Sequence, residues 1–288
     1  MDPSDRGVTE ASTTGPDAEP APTVRVAAVG DLHCTRTSHG TLEPIFRDAA
    51  ARADVLVLCG DLTDYGLPEE ARILVKELSP VAGLPVLAVL GNHDYESGQH
   101  QELRRIFQEA GVHVLDGEPF ETHGLGFAGA KGFGGGFGRR TLEPWGEDAA
   151  KRFVQEAVQE AMKLESALAK LRTPQRVAVM HYAPILDTVR GEPPEIYPFL
   201  GSSRLEEPLN RYGVAAVFHG HAHRGSLQGR TSAGRPVYNV ALPLLKLSYP
   251  DALPLFVLEI PTRPPVERRE GDRRGGARPA EVETPALR

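Results

Sequence analysis

Three strand-length apolar runs, Val24 to Val29, Val55 to Cys59 and Val86 to Leu90, are each followed at once by a glycine, and no other feature of the chain constrains its fold as much. Their length and β-branched content predict strands, and the glycines predict sharp turns. Between them, Thr41 to Arg52 and Pro68 to Leu78 carry apolar residues at helical spacing. Strand, helix, strand, helix, strand implies a partly parallel sheet with helices packed on it. Sheets of this kind place their chemistry beyond the carboxyl ends of the strands. Functional side chains are therefore expected just after Gly30, Gly60 and Gly91.

Further strands are predicted at Val112 to Leu115, Leu125 to Gly129, Val177 to Met180, Val214 to Phe218, Val237 to Val240 and Leu255 to Ile260, so the second half is strand-rich. The longest helix is predicted from Glu147 to Leu171. There Val154, Val158, Ala161, Leu164, Leu168 and Leu171 recur every three or four residues as one core-facing stripe.

Residues 1 to 22 are rich in Pro, Ser, Thr, Asp and Ala with no apolar period, and residues 261 to 288 are dominated by Pro, Arg, Glu and Gly. Neither stretch can bury enough apolar surface to offset ordering entropy. A disordered leader (1–22) and a disordered tail (261–288) are expected around one domain at 23–260. The formal net charge of −7 argues against a broad basic face for nucleic acid. No run reaches the ~18 apolar residues that span a bilayer, and the opening residues hold no apolar signal core. A cytoplasmic chain with no membrane partner is the expectation. Cys34 and Cys59 are the only cysteines and lack Cys-x-x-Cys spacing, so a bound metal would need other ligands.

Five short clusters hold most of the chemically interesting side chains, and each follows a predicted strand. They are Gly30-Asp31-Leu32-His33, Gly60-Asp61-Leu62-Thr63-Asp64, Gly91-Asn92-His93-Asp94, Met180-His181 and Gly220-His221-Ala222-His223. On an extended chain Asp31 and His33 point the same way, as do His221 and His223. Taken singly, Gly-Asp or His-x-His is common turn chemistry. Five clusters in one order at one edge are not. Carboxylate, amide and imidazole donors without thiolate suit Mn²⁺, Fe²⁺/³⁺ or Zn²⁺ in a catalytic site. Seven such ligands exceed the needs of one ion and fit two that share a carboxylate.

These five motifs, Gly30-Asp31-x-His33, Gly60-Asp61-x-x-Asp64, Gly91-Asn92-His93-Asp94, His181 and Gly220-His221-x-His223, resemble the signature of the calcineurin-like metallophosphoesterase family. Their style is similar to the cyclic-nucleotide phosphodiesterase-like (class III) branch. The resemblance implies an α/β fold, a β-sandwich of two mixed sheets flanked by helices. It implies one metal ion on Asp31, His33, Asp61 and His223 and a second on Asp61, Asn92, His181 and His221, with Asp61 bridging. His93 matches the family's catalytic histidine, and Asp94 would accept its other ring proton. The implied reaction is attack of a metal-bridging hydroxide on a small soluble phosphodiester or phosphomonoester.

His219, beside the last motif, is read as a supporting or core residue. The glycine-dense segment Gly129 to Arg140 is expected to wall the site, with Lys131, Arg139 or Arg140 reaching the substrate anion and Asn92 also near it. Two competing functions have less support. A nuclease of the same fold is opposed by the acidic charge, and a non-catalytic metal-binding scaffold could have dispensed with His93.

Overall fold

The computed structural model describes residues 22–263. Most of the expected leader (1–22) and tail (261–288) lies outside the described residues. The described ends meet, because the Thr262 N–H donates to the Pro22 carbonyl at 2.8 Å.

The opening alternates as the apolar runs predict: β1 (Thr23–Val29), α1 (Glu43–Arg52), β2 (Val55–Cys59), α2 (Pro68–Glu77), β3 (Val86–Val89), α3 (His100–Glu109) and β4 (Val112–Val114). Next come β5 (Phe120–Thr122), β6 (Leu125–Gly129), the long α4 (Asp148–Lys170), β7 (Gln175–Val179), α5 (Tyr197–Leu200) and α6 (Glu206–Arg211). The chain closes with β8 (Ala216–His219), β9 (Gln228–Arg230), β10 (Pro236–Asn239), α7 (Leu242–Ser248) and β11 (Phe256–Pro261). Sequence patterning did not reveal α3, whose only buried residues are Leu103, Ile106 and Phe107. Nor did it reveal β5 and β9, three residues each on the outermost strands of a sheet.

Two mixed sheets form, one ordered β11-β1-β2-β3-β4 and the other β5-β6-β7-β8-β10-β9. Within each, the central strands run parallel; β11 is antiparallel at one edge of the first sheet, and β5 and β9 are antiparallel at the two edges of the second. Every residue of β2 is buried, as a central parallel strand covered on both faces requires. The second sheet alternates: Phe127, Val177, Val179 and Phe218 face the first sheet's core, while Ala128, Ala178 and Val217 face Leu164, Leu168 and Leu209 of α4 and α6. The fold is the two-sheet, helix-flanked α/β sandwich expected. Among the described residues no helix is long and apolar enough to cross a membrane.

Candidate metal centre

Parallel pairing brings the carboxyl ends of β1, β2 and β3 to one edge, and those of β7 and β8 lie against them. The loops beyond the strands stay paired: Asp31 N–H donates to the Gly60 carbonyl (2.9 Å), His33 N–H to the Asp61 carbonyl (3.0 Å) and Gly220 N–H to the His181 carbonyl (3.1 Å). This closeness explains two motif glycines. A Cβ on Gly91 would stand 2.2 Å from the Asp61 backbone nitrogen, and one on Gly60, at φ +81°, would stand 2.5 Å from the His181 ring.

Asp31, His33, Asp61 and His221 all adopt left-handed backbone, with φ of 56°, 43°, 48° and 70°. The extended geometry expected around Asp31 and His221 is therefore not what aims these side chains. Left-handed turns do, at about 1–2 kcal/mol for each residue that carries a Cβ. Strain concentrated on candidate ligands marks a functional constraint. One consequence is that His221 and His223 diverge into different groups.

In the first group, ligand atoms of Asp31, His33 and His223 lie within 4.8 Å of one another, and in the second those of Asp61, His181 and His221 do. Asp61 faces both, with Oδ2 3.8 Å from His33 Nε2 and Oδ1 3.4 Å from His181 Nε2. Asn92 Oδ1 stands 2.9 Å from His181 Nε2, and His223 Nε2 is 2.9 Å from Asp31 Oδ1. All seven expected ligands thus converge.

Carbonyl oxygens only accept hydrogen bonds, so they fix where each ring carries its proton. His181 Nδ1 donates to the Cys59 carbonyl (2.9 Å), turning Nε2 inward, and His221 Nε2 donates to the Phe199 carbonyl (3.2 Å), leaving Nδ1 free. Asp64 holds two rings: its Oδ1 is 3.0 Å from His33 Nδ1 and its carbonyl 2.7 Å from His93 Nδ1. Burial works against ionising Asp61, but His181, by charge and hydrogen bond, holds this carboxyl well below its usual range. Burial would likewise lower His181, yet Asp61 lifts it to about 9. Desolvation, then His181, pushes His221 down to about 3, so its lone pair stays available.

The donor set fits metal ions. His33 Nε2 is buried without a hydrogen-bond partner. Asp31 and Asp61 are buried carboxylates whose only ion-pair partners among the described residues are histidines. An orphan imidazole nitrogen and two buried carboxylates facing one space call for cations, and mixed O and N donors suit Mn, Fe or Zn. Neither thiol stands in either group, and burial pushes Cys34 up to about 12 and Cys59 far above its ordinary value.

Asp94 requires a correction. Its carboxylate does not touch the His93 ring. It accepts from the backbone N–H of Leu62 (3.1 Å), Thr63 (2.9 Å) and Gly91 (2.8 Å) and from the Thr63 hydroxyl (2.6 Å). His93 to Tyr95 forms a single helical turn, and neighbouring residues of a helical turn do not face each other. Asp94 is therefore the clasp between the β2 and β3 loops. Burial, then the Asp61 charge, pushes it up to about 6 against those hydrogen bonds. Asp94→Ala would orphan four donors at about 1–3 kcal/mol each. Its melting temperature should fall by more than about 8 °C, at about 2–4 °C per kcal/mol for a domain of this size. A fall under about 3 °C in calorimetry would rule the clasp out.

The glycine-dense segment is fastened rather than loose: Gly135 N–H donates to the Pro198 carbonyl (2.6 Å) and Gly136 N–H to the Gly201 carbonyl (2.9 Å). Lys131 is turned inward, with its Nζ 3.6 Å from Glu156 Oε1. Its buried ammonium donates to the Gly132 carbonyl (2.9 Å) and sits among the rings of Tyr95, Phe133 and Tyr182. Arg139 and Arg140 are exposed, and neither guanidinium pairs with a carboxylate among the described residues. His219 is buried, and its Nε2 meets the Thr188 hydroxyl at 2.8 Å. Sequence reasoning gave no role to Asp64, although the Gly60 to Asp64 motif contains it. The Cys59 and Phe199 carbonyls carry no residue-type signal at all.

A comparison with curated proteins finds no match. Among solved structures, the phosphopantetheinyl hydrolase of Mycobacterium tuberculosis is 14% identical, with TM-score 0.58, over 84% of this chain and 97% of that one. GAP50, the anchor in the inner membrane complex of Plasmodium, is 13% identical, with TM-score 0.51, over 77% of this chain and 72% of that one. At such identities the likeness is one of fold. The calcineurin-like phosphoesterase family description matches residues 24–225. That span contains the left-handed ligand turns, the shared Asp61 and all five motifs, and the chain belongs to the calcineurin-like phosphoesterase family.

Proposed function

We propose that this chain is a hydrolase of small soluble phosphoesters, with diesters favoured over monoesters, that works with two metal ions in a cytoplasmic setting. Asp31, His33, Asp61 and His223 would hold one ion and Asp61, Asn92, His181 and His221 the other. The observation that supports this most is Asp61, a single buried carboxylate with one oxygen toward each histidine group. When bound, the ions supply Lewis acidity at the phosphoryl oxygens and generate the nucleophile from water near neutral pH.

The protein's own groups do the rest. The Cys59, Phe199 and Asp64 acceptors orient the rings of His181, His221 and His33. His93 donates through Nδ1 to the Asp64 carbonyl, and its backbone N–H donates to Asp61 Oδ1 (2.9 Å). Proton donation to a leaving oxygen, or stabilisation of phosphoryl charge, therefore falls to its Nε2. The Asn-His-Asp form of the third motif supports a diesterase of the class III style.

Turnover of bis(p-nitrophenyl) phosphate by the full chain tests this. Chelation should abolish it, and Mn²⁺ should restore it more fully than Mg²⁺, because imidazole-rich sites disfavour an ion that prefers oxygen and keeps its waters. Undiminished hydrolysis after exhaustive chelation would end the metal-dependent reading.

A further inference from the structure

Beside the metal centre lies a cavity of about 370 Å³ that none of the chemistry above uses. Leu142, Trp145, Phe153 and Phe199 form its apolar walls, with Glu143 and Glu147 also lining it. Trp145 is 72% and Phe199 59% exposed, so large apolar surfaces lie bare to solvent. Such surface on a soluble domain marks a binding site more often than chance, and the volume falls in the range of small-ligand pockets.

What points to an occupant is continuity with the metal centre. Phe199 walls the cavity with its side chain, while its carbonyl accepts the Nε2 proton of His221 at 3.2 Å. Aromatic rings make the same link: Phe199 to Phe153 (6.0 Å between centroids), Phe153 to Phe133 (4.8 Å), Phe133 to Tyr182 (5.7 Å) and Tyr182 to His221 (4.4 Å). Phe199 is common to both, so a molecule whose phosphate sits at His221 would pass over Phe199 to enter the cavity. Charge narrows its nature. Glu143 pairs with Arg204 at 3.3 Å, whereas Glu147 has no cationic partner among the described residues. A second anionic group in the cavity would meet that carboxylate.

We infer that this cavity binds an uncharged, hydrophobic ester arm of the substrate, so that the enzyme prefers phosphoesters carrying an alkyl or aryl group over those with small or multiply charged arms. The inference rests on the proposed phosphoesterase reading and deepens it. Apolar transfer free energy then appears as specificity at a constant chemical step.

The test uses p-nitrophenyl methyl, butyl and octyl phosphates, which share a leaving group and differ only in the other arm, with the full Mn²⁺-loaded chain. kcat/KM should rise about tenfold or more from methyl to octyl, and in Trp145→Ser that slope should fall to less than half. Trp145 is the only tryptophan, so its emission reports on the cavity without turnover. Octyl phosphate below its micellar range should shift the emission to the blue, and inorganic phosphate should not. A flat chain-length profile with no blue shift would overturn the inference while hydrolysis of the methyl ester upheld the phosphoesterase reading. If no ester is hydrolysed, that reading fails, and the octyl phosphate shift still decides the cavity. A blue shift that grows with protein concentration alone, alongside dimerisation, would assign the apolar face to a second copy and overturn the inference.

Discussion

Asp61→Ala is expected to lose metal from both positions and to lower turnover by more than about 10³-fold, since even outer partners of metal ligands contribute about 10–100-fold to affinity or activity. One carboxylate faces His33 with Oδ2 and His181 with Oδ1, so in the proposed two-ion arrangement neither position is complete without it. The same carboxylate lifts His181, and its removal leaves that buried ring without its main counter-charge. Asp61→Asn separates charge from shape: it keeps a neutral oxygen for the His93 N–H but removes the negative charge and one of the two oxygen donors, and it should also lose metal. Elemental analysis of purified variants reads this directly. Metal near the wild-type level in both variants would mean that Asp61 does not bridge.

His93→Ala is expected to do the opposite: both ions retained and turnover down by about 10² to 10⁴, the usual contribution of a positioned acid or charge-stabilising group. Its ring lies 4.5 Å from that of His33, edge to face, and its Nδ1 is committed to the Asp64 carbonyl. Only Nε2 remains for the substrate. A proton donor matters most for poor leaving groups, so His93→Ala should harm alkyl esters that expel an alkoxide far more than esters that expel p-nitrophenolate. Equal damage to both would assign His93 to the phosphoryl oxygens instead, and loss of metal would make it a ligand.

Much of the candidate centre was legible in the sequence because each candidate ligand follows a largely apolar strand. Val55 to Cys59 has no polar position, so its identity as a central strand, and the place of Gly60-Asp61 at its carboxyl end, follow from burial on both faces. The illegible parts have physical causes too. Helix α3 turns only Leu103, Ile106 and Phe107 inward, too few to stand out among its polar neighbours. The proposed His93–Asp94 bond failed because adjacency in a motif suggested contact, where a tight turn sends the two side chains apart. Lys131 looked like an anion ligand, yet three aromatic rings enclose its ammonium, and no single position of a glycine-rich run reveals such a cage. Backbone carbonyls that set the tautomers of His181 and His221 are invisible to any motif, since every residue has one.

The central claim is that two ions sharing Asp61 make the chain a phosphoesterase, and a stoichiometric titration tests it most directly. Metal-stripped protein receives Mn²⁺ in fractions of an equivalent while turnover of bis(p-nitrophenyl) phosphate is followed. The account predicts that turnover climbs until two equivalents per chain are bound and then stays level. Full turnover at a single equivalent, or in the stripped protein, would contradict it.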